Sequence, residues 1–201
     1  MRIGYFGGSF DPPHRGHLAV ACAARDQFGL DRVLLAPTGR QPLKPEGPTA
    51  SFADRFRMTE LLCAHQPGLE ASPVDAPLPD GSPNYTADTL ERLQRELPGG
   101  AALFAIVGAD AFLGLPQWRR SPELLRIAEW IVVSRPGFAL DRLDELRLTP
   151  EQRRRVHPLA GIADPASATG VRARLRGHLP CDDLVPHEVL EYIRQQRLYG
   201  A

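Results

Sequence analysis

Eleven consecutive residues near the start of the chain, Gly7-Gly8-Ser9-Phe10-Asp11-Pro12-Pro13-His14-Arg15-Gly16-His17, restrict its fold more than any other stretch. A short apolar run at residues 3–6 precedes them, and a helical pattern with Leu18, Ala21, Cys22 and Phe28 follows. The order strand, glycine turn, histidine pair, helix gathers small residues, backbone N–H groups and two imidazoles at one helix N-terminus. Such an end carries partial positive charge and unpaired donors, so it favours an anion such as phosphate. Gly7 and Gly8 let the backbone turn and approach a ligand closely. Pro12 and Pro13 stiffen the loop and delay the helix. His14 and His17 share a face once the helix starts, and Gly16 leaves room over that face. Both imidazoles can donate hydrogen bonds to a polyphosphate, more strongly when protonated.

Other readings of the stretch are weaker. Two histidines without a nearby Cys or carboxylate cluster are too few ligands for a metal, and a Gly-Gly pair alone marks only a tight turn. No Gly-Lys-Ser/Thr follows the glycines, and the spacing is not Gly-x-Gly-x-x-Gly. Instead, His14-Arg15-Gly16-His17 after a glycine-rich strand end resembles the nucleotidylyltransferase superfamily. The longer form, from Gly7 to His17, is similar to the bacterial nicotinate-nucleotide adenylyltransferases in particular.

A chain of 201 residues with 43% hydrophobic content suits one folded α/β domain, residues 1–201, with a C-terminal helical portion from about residue 165. Lys plus Arg equals Asp plus Glu at 24 each, so no global basic field points to nucleic acid. No apolar run reaches the length of a membrane span, and residue 1 leads directly into a strand rather than a signal peptide. Cys22, Cys63 and Cys181 are too scattered for a disulfide framework or a zinc site, and a reducing cytoplasm is the simplest compartment. Cys22 and Cys63 fall on apolar helix faces. The oligomeric state is not encoded in any motif.

Residues 31–37 read as a second strand, and Gly29 ends the intervening helix. Strand, helix, strand in so short a span implies a right-handed parallel crossover, with ligands beyond the carboxyl ends of the strands. The expected fold is an α/β, Rossmann-like doubly wound parallel sheet with helices on both faces. Residues 38–49 form a Gly/Pro-rich loop in which Lys44 either meets an anion or is a solvated charge. Ser51 caps a helix over residues 51–64 with Asp54 at the third position. Phe52, Phe56, Thr59 and Cys63 make its inner face, and Arg55 and Arg57 are expected in solvent. Residues 69–74 are a modest strand candidate.

Tyr85 and Thr86 open the next helix, with Thr86 as N-cap and Leu90, Leu93 and Leu97 as the buried stripe. Residues 101–107 are the clearest buried strand. It ends in Gly108-Ala109-Asp110, where Asp110 either accepts from a ribose hydroxyl or caps a short helix at 111–115. Trp118, between Pro116 and two arginines, is either a stacking face for a heteroaromatic ring or a plug against the core. Residues 130–133 form a further strand, and Arg135 beyond its end is a candidate partner for an anionic group. The charged segment 140–156 reads as a surface excursion with a capping box at Thr149 and Gln152, and Arg153, Arg154 and Arg155 read as a solvated face. Ser167, Thr169 and Arg172 at another helix start form either a second anion site or a capped surface helix. In the last helix Val189, Tyr192 and Ile193 face inward.

The resemblance runs from residue 1 to residue 199. Pro37, Gly39, Pro42 and Lys44 fit the family's Pro-x-Gly-x-x-Pro-x-Lys. Tyr85 and Thr86 match the pair that contacts the nicotinate end of the substrate. Gly108, Ala109, Asp110, Pro116 and Trp118 match a segment whose tryptophan lies by the pyridine ring, and Ser134-Arg135 matches as well. The stretch from Ala166 to Arg172 resembles the superfamily's Ile-Ser-Ser-Thr-x-Ile-Arg signature, with Ala166, Ala168 and Val171 as departures. Ala168 lacks the hydroxyl that the second serine of that signature carries.

By resemblance, Gly7, Gly8, Ser9, Phe10, His14, His17, Ser167, Thr169 and Arg172 bind ATP, with His14 and His17 catalytic. Lys44, Tyr85, Thr86, Gly108, Asp110, Trp118 and Arg135 hold the acceptor. The implied reaction is adenylyl transfer from ATP to nicotinate mononucleotide, with Mg²⁺ accompanying ATP and no protein nucleophile. Other readings are a relative using nicotinamide mononucleotide or phosphopantetheine, a nucleotide-binding module without chemistry, and an RNA-binding domain. Neutral charge and short length oppose the last.

Overall fold

The computed structural model describes residues 1–42, 46–134, 140–162 and 166–201. Lys44 and Arg135 lie outside these described residues. Six strands form one sheet in the order β3-β2-β1-β4-β5-β6, and each neighbouring pair is parallel. They are β1 (Arg2–Gly8), β2 (Arg32–Pro37), β3 (Leu69–Ala71), β4 (Ala102–Gly108), β5 (Glu129–Val133) and β6 (Val156–Leu159). The central strands are continuous apolar runs because helices cover both faces of the sheet. Chain order reverses between β1 and β4, and such a switch point opens a crevice at the carboxyl edge.

On one face lie α1 (Arg15–Phe28), α2 (Phe52–Cys63), α7 (Ala168–Arg176) and α8 (His187–Gln195), sharing a core with Phe6, Phe10, Val33, Leu35 and Ile131. On the other lie α3 (Thr86–Glu96), α4 (Ala109–Leu113) and α5 (Ser121–Ile127), packed on Ile3, Tyr5, Leu103 and Trp130. The short α6 (Pro150–Arg154) carries the expected capping box, with Gln152 N–H donating to Thr149 Oγ1 at 3.2 Å and Thr149 N–H to Gln152 Oε1 at 2.9 Å.

Several local expectations are corrected by packing. Gly7 and Gly8 are the last residues of β1, not a turn, and the chain turns at Phe10, whose φ is +47°. The buried face of α1 is Gly16, Val20, Ala21 and Ala24, displaced from the expected stripe because the sheet meets that side. Arg55 is not solvated: it is 1% exposed and belongs to the inner face of α2 with Met58, Thr59, Leu62 and Cys63. Tyr85, not Thr86, is the N-cap of α3, and Gly108, not Asp110, is the N-cap of α4. Directly after the charged segment comes a sixth strand, β6, which has no apolar run to betray it. Its Pro158 is tolerated because the strand lies at the sheet edge.

Candidate functional site

Parallel pairing brings the carboxyl ends of all six strands to one edge. β1 ends there with Gly8 and its neighbour β4 with Gly108, so the two glycine-ended strands flank the switch point. Close approach favours glycine at both positions that end β1. A Cβ on Gly7 would collide with the Tyr5 hydroxyl, and one on Gly8 would lie 3.2 Å from the Phe10 ring.

His14 is the N-cap of α1 and His17 its third residue. The rings lie 3.8 Å apart between centroids, and Phe10 stands 4.7 Å from His17. His14 is buried and His17 half-buried. The main-chain N–H of His14 donates to His17 Nδ1 at 3.2 Å. That bond makes Nδ1 the acceptor, so the neutral His17 ring carries its proton on Nε2. The tautomer left open by the sequence is therefore set by the local helix cap.

A second helix start lies beside the first. Ser167 caps α7, its Oγ accepting from Gly170 N–H at 3.1 Å. The carbonyl oxygen of Ala166 is 3.3 Å from where a Cβ of Gly16 would stand, so the two helix ends meet closely and a side chain there would crowd them. Arg172 donates through Nη1 to the Asp11 carbonyl at 2.6 Å and through Nη2 to Thr169 Oγ1 at 3.4 Å. Ser167, Thr169 and Arg172 thus adjoin the Ser9–His17 loop. Two helix N-termini, two imidazoles and a guanidinium in one place offer a polyanion several donors of fixed direction.

Across the switch point, Asn84 ties the start of α3 to the loop after β2. Its N–H donates to the Arg40 carbonyl, its Oδ1 accepts from Arg40 N–H and its Nδ2 donates to the Ala76 carbonyl, each at 2.9 Å. This carries Tyr85 and Thr86 to the same edge. The Arg119 guanidinium covers the Tyr85 ring at 4.6 Å and approaches Asp88 at 3.6 Å. Asp110 folds back over the end of β4, its Oδ1 2.5 Å from the place a Gly108 Cβ would take. Trp118 is half-buried with its ring edge-on to Trp130 at 6.1 Å, so one edge packs on the core while part of the ring stays open. Trp118 and α7 pack on opposite faces of the sheet, so a ligand touching both must span its edge.

Beneath this edge lies a buried network that residue patterns did not reveal. Asp75 is 2% exposed and accepts from the Tyr5 hydroxyl and from Thr89 Oγ1, both at 2.5 Å. Burial raises its pKa, against the donors Thr89, Tyr5 and Thr38 and the Arg92 charge, all of which lower it. Burial first, then the Asp75 charge, raises the Tyr5 phenol well above its usual value, so it remains an O–H donor. The folded state holds the Asp75 proton to higher pH than the unfolded chain does. The stability this contributes is complete below the ordinary aspartate range, about pH 4, and is lost as pH rises through the raised value. In urea titrations, the stability of the native protein relative to Asp75→Asn should fall as pH rises above about 4. A flat or rising difference would contradict this assignment.

No activated thiol is present among the described residues. Burial pushes Cys63 up to about 12 and raises Cys22 and Cys181 as well. Cys63 is buried as expected, while Cys22 is only half-buried. Among the described residues no helix is long and apolar enough to cross a membrane.

A cytidylyltransferase-like family model matches residues 5–174. A curated relative from Moorella thermoacetica, named "probable nicotinate-nucleotide adenylyltransferase", is 40% identical over 98% of this chain and 91% of its own length. A second of the same name, from Gloeobacter violaceus, is 40% identical over 100% of this chain and 97% of its own. The chain belongs to the nicotinate-nucleotide adenylyltransferase family. Solved structures share the fold at low identity. The Plasmodium falciparum nicotinic acid mononucleotide adenylyltransferase complexed with NaAD superposes with a TM-score of 0.76 at 15% identity, over 99% of this chain and 97% of that one. Its complex with APC gives 0.74 at the same identity and coverage.

Proposed function

We propose that this chain transfers the adenylyl group of ATP to nicotinate mononucleotide, giving nicotinate adenine dinucleotide and pyrophosphate. The observation that carries the reading is the meeting of the α1 and α7 N-termini around His14, His17, Thr169 and Arg172 at the switch point. Relatives that match over the full length support the choice of reaction.

In the step proposed, a phosphate oxygen of the mononucleotide attacks the α-phosphorus of ATP in line. The bond from that phosphorus to the bridging oxygen breaks, and pyrophosphate leaves with the electron pair. No residue is adenylylated in this direct attack, so positioning and charge stabilisation carry the acceleration. Gly7, Gly8, Ser9 and Phe10 shape the floor under the phosphates. His17 donates from Nε2 to the charge that develops, with His14 beside it. Thr169, Ser167 and Arg172 face the β and γ phosphates.

The acceptor lies toward β4, with Asp110 on a ribose hydroxyl, Tyr85 and Thr86 at the nicotinate carboxylate and Trp118 by the pyridine ring. Lys44 and Arg135 take their acceptor-binding roles from the family pattern alone. Among the described residues no group of three or more His, Cys, Asp or Glu side chains could hold a metal ion. Mg²⁺ accompanying ATP would be held mainly by the phosphates and water, where it would supply counter-charge. A reducing cytoplasm suits three free thiols.

The test is a pyrophosphate-release assay with ATP, Mg²⁺ and a panel of acceptors. Nicotinate mononucleotide should be converted stoichiometrically and in preference to nicotinamide mononucleotide and phosphopantetheine. Tight ATP binding without pyrophosphate release, or preference for another acceptor, would overturn the reading.

A further inference from the structure

The phosphate-facing loop is held from behind by groups remote in sequence. Asp11 is 4% exposed. Its Oδ2 accepts from Thr49 N–H at 2.6 Å, and its Oδ1 from Ala50 N–H at 3.1 Å and from the Tyr199 hydroxyl at 2.7 Å. The Asp11 carbonyl takes Arg172 Nη1 at 2.6 Å, and the Ser9 carbonyl takes Arg55 Nη1 at 2.7 Å. Phe10, between those two gripped carbonyls, has φ +47°, a conformation that a bulky residue keeps only when its surroundings impose it.

Tyr199 is in the same situation at the other end of the chain. It is 8% exposed with φ +60°, two residues after Arg197 at +53°. Chain termini usually fray unless tied down. Here the tie is the bond to Asp11. Burial first, and then that hydrogen bond and the Asp11 charge, hold the Tyr199 phenol far above its usual pKa, so it stays an O–H donor.

We propose that Tyr199 is a positioning residue for the ATP-phosphate site: by fixing Asp11, its hydroxyl sets where the Ser9–Asp11 backbone and the Arg172 guanidinium stand. The Arg172 fork is shared between the Asp11 carbonyl and Thr169. A displaced Asp11 therefore redirects the cation and Thr169 together. Asp11 also receives the N–H groups of Thr49 and Ala50, so its position governs how the loop after β2 returns to α2. The C-terminal tail thereby contributes to ATP affinity without touching the nucleotide.

This inference rests on the proposed adenylyl transfer, and its test separates the two. The full chain is compared with Tyr199→Phe and with Tyr192→Phe, which removes another tyrosine–aspartate bond, Tyr192 Oη to Asp54 at 3.0 Å, from the same C-terminal region. Titration with an α,β-methylene ATP analogue is run beside steady-state kinetics and thermal melts. Tyr199→Phe should weaken analogue binding and raise the KM for ATP about tenfold, as loss of a hydrogen bond to a charged group allows. The KM for nicotinate mononucleotide should stay within about twofold, and Tyr192→Phe should change neither constant. Unchanged analogue affinity in Tyr199→Phe, an equal rise in both KM values, or a lowered melting temperature with full ATP affinity would each overturn the role. Loss of turnover in the native chain itself would instead refute the reaction, while analogue binding would still judge Tyr199.

Discussion

Replacing His17 with alanine is expected to lower kcat by about 100-fold or more while the protein stays folded, as when one preorganised donor to developing charge is removed. The geometry explains the size of the effect. His17 is the third residue of α1, its Nδ1 is occupied by His14 N–H, and its ring is held between His14 and Phe10. With Nδ1 so occupied, the proposed role falls to Nε2–H on a ring whose orientation the cap already fixes. The same cap bond is worth only about 1 kcal/mol to stability, so the kinetic loss should far exceed the loss in folding free energy. Turnover of the purified variant, beside its circular dichroism and melting temperature, separates the two. Near-full turnover would remove His17 from the chemistry.

Arg55→Ala should destabilise the protein more than any other substitution named here, by about 3–5 kcal/mol, the range seen when a buried charge loses its partner. The guanidinium is 1% exposed. It donates through Nη1 to the Ser9 carbonyl at 2.7 Å and through Nε to the Ala50 carbonyl at 3.2 Å. Burial lowers its pKa, and the Asp11 charge acts in the opposite direction. Truncation leaves two carbonyls without these donors, opens a void and removes the charge opposing Asp11. Arg55→Lys keeps the charge but not the fork and should fall between the two. Urea unfolding with an unchanged m-value measures the difference. A loss under about 1 kcal/mol would mean that solvent replaces the guanidinium.

Arg55 also shows where reading the chain fails. Its neighbours Phe52 and Phe56 are more apolar, and periodicity assigns the inner face to them. Yet both are only half-buried, and the arginine is inside because loop carbonyls from Ser9 and Ala50 converge there. Asp11 is legible as part of the Gly7–His17 pattern, but its partner Tyr199 is not, since 188 residues separate them. The strand β6 is hidden because an edge strand with one proline and one histidine has no buried run. Trp118 admits two roles from sequence, and its edge contact with Trp130 leaves the half-buried ring compatible with both.

The local order of residues is sufficient for what depends on near neighbours. That includes the parallel α/β class, the strand-to-helix junction bearing His14 and His17, the caps at Gly29, Ser51 and Thr149, and the family itself. Tertiary structure alone decided which distant groups meet: Ala166 beside Gly16, Arg172 on Asp11, Asn84 on Arg40, and Tyr199 on Asp11. The physical reason is range. Turns, caps and periodic faces follow from bonds only a few residues long. A buried carboxylate or guanidinium is tolerated only where the completed fold supplies its partners, and no local pattern carries that information.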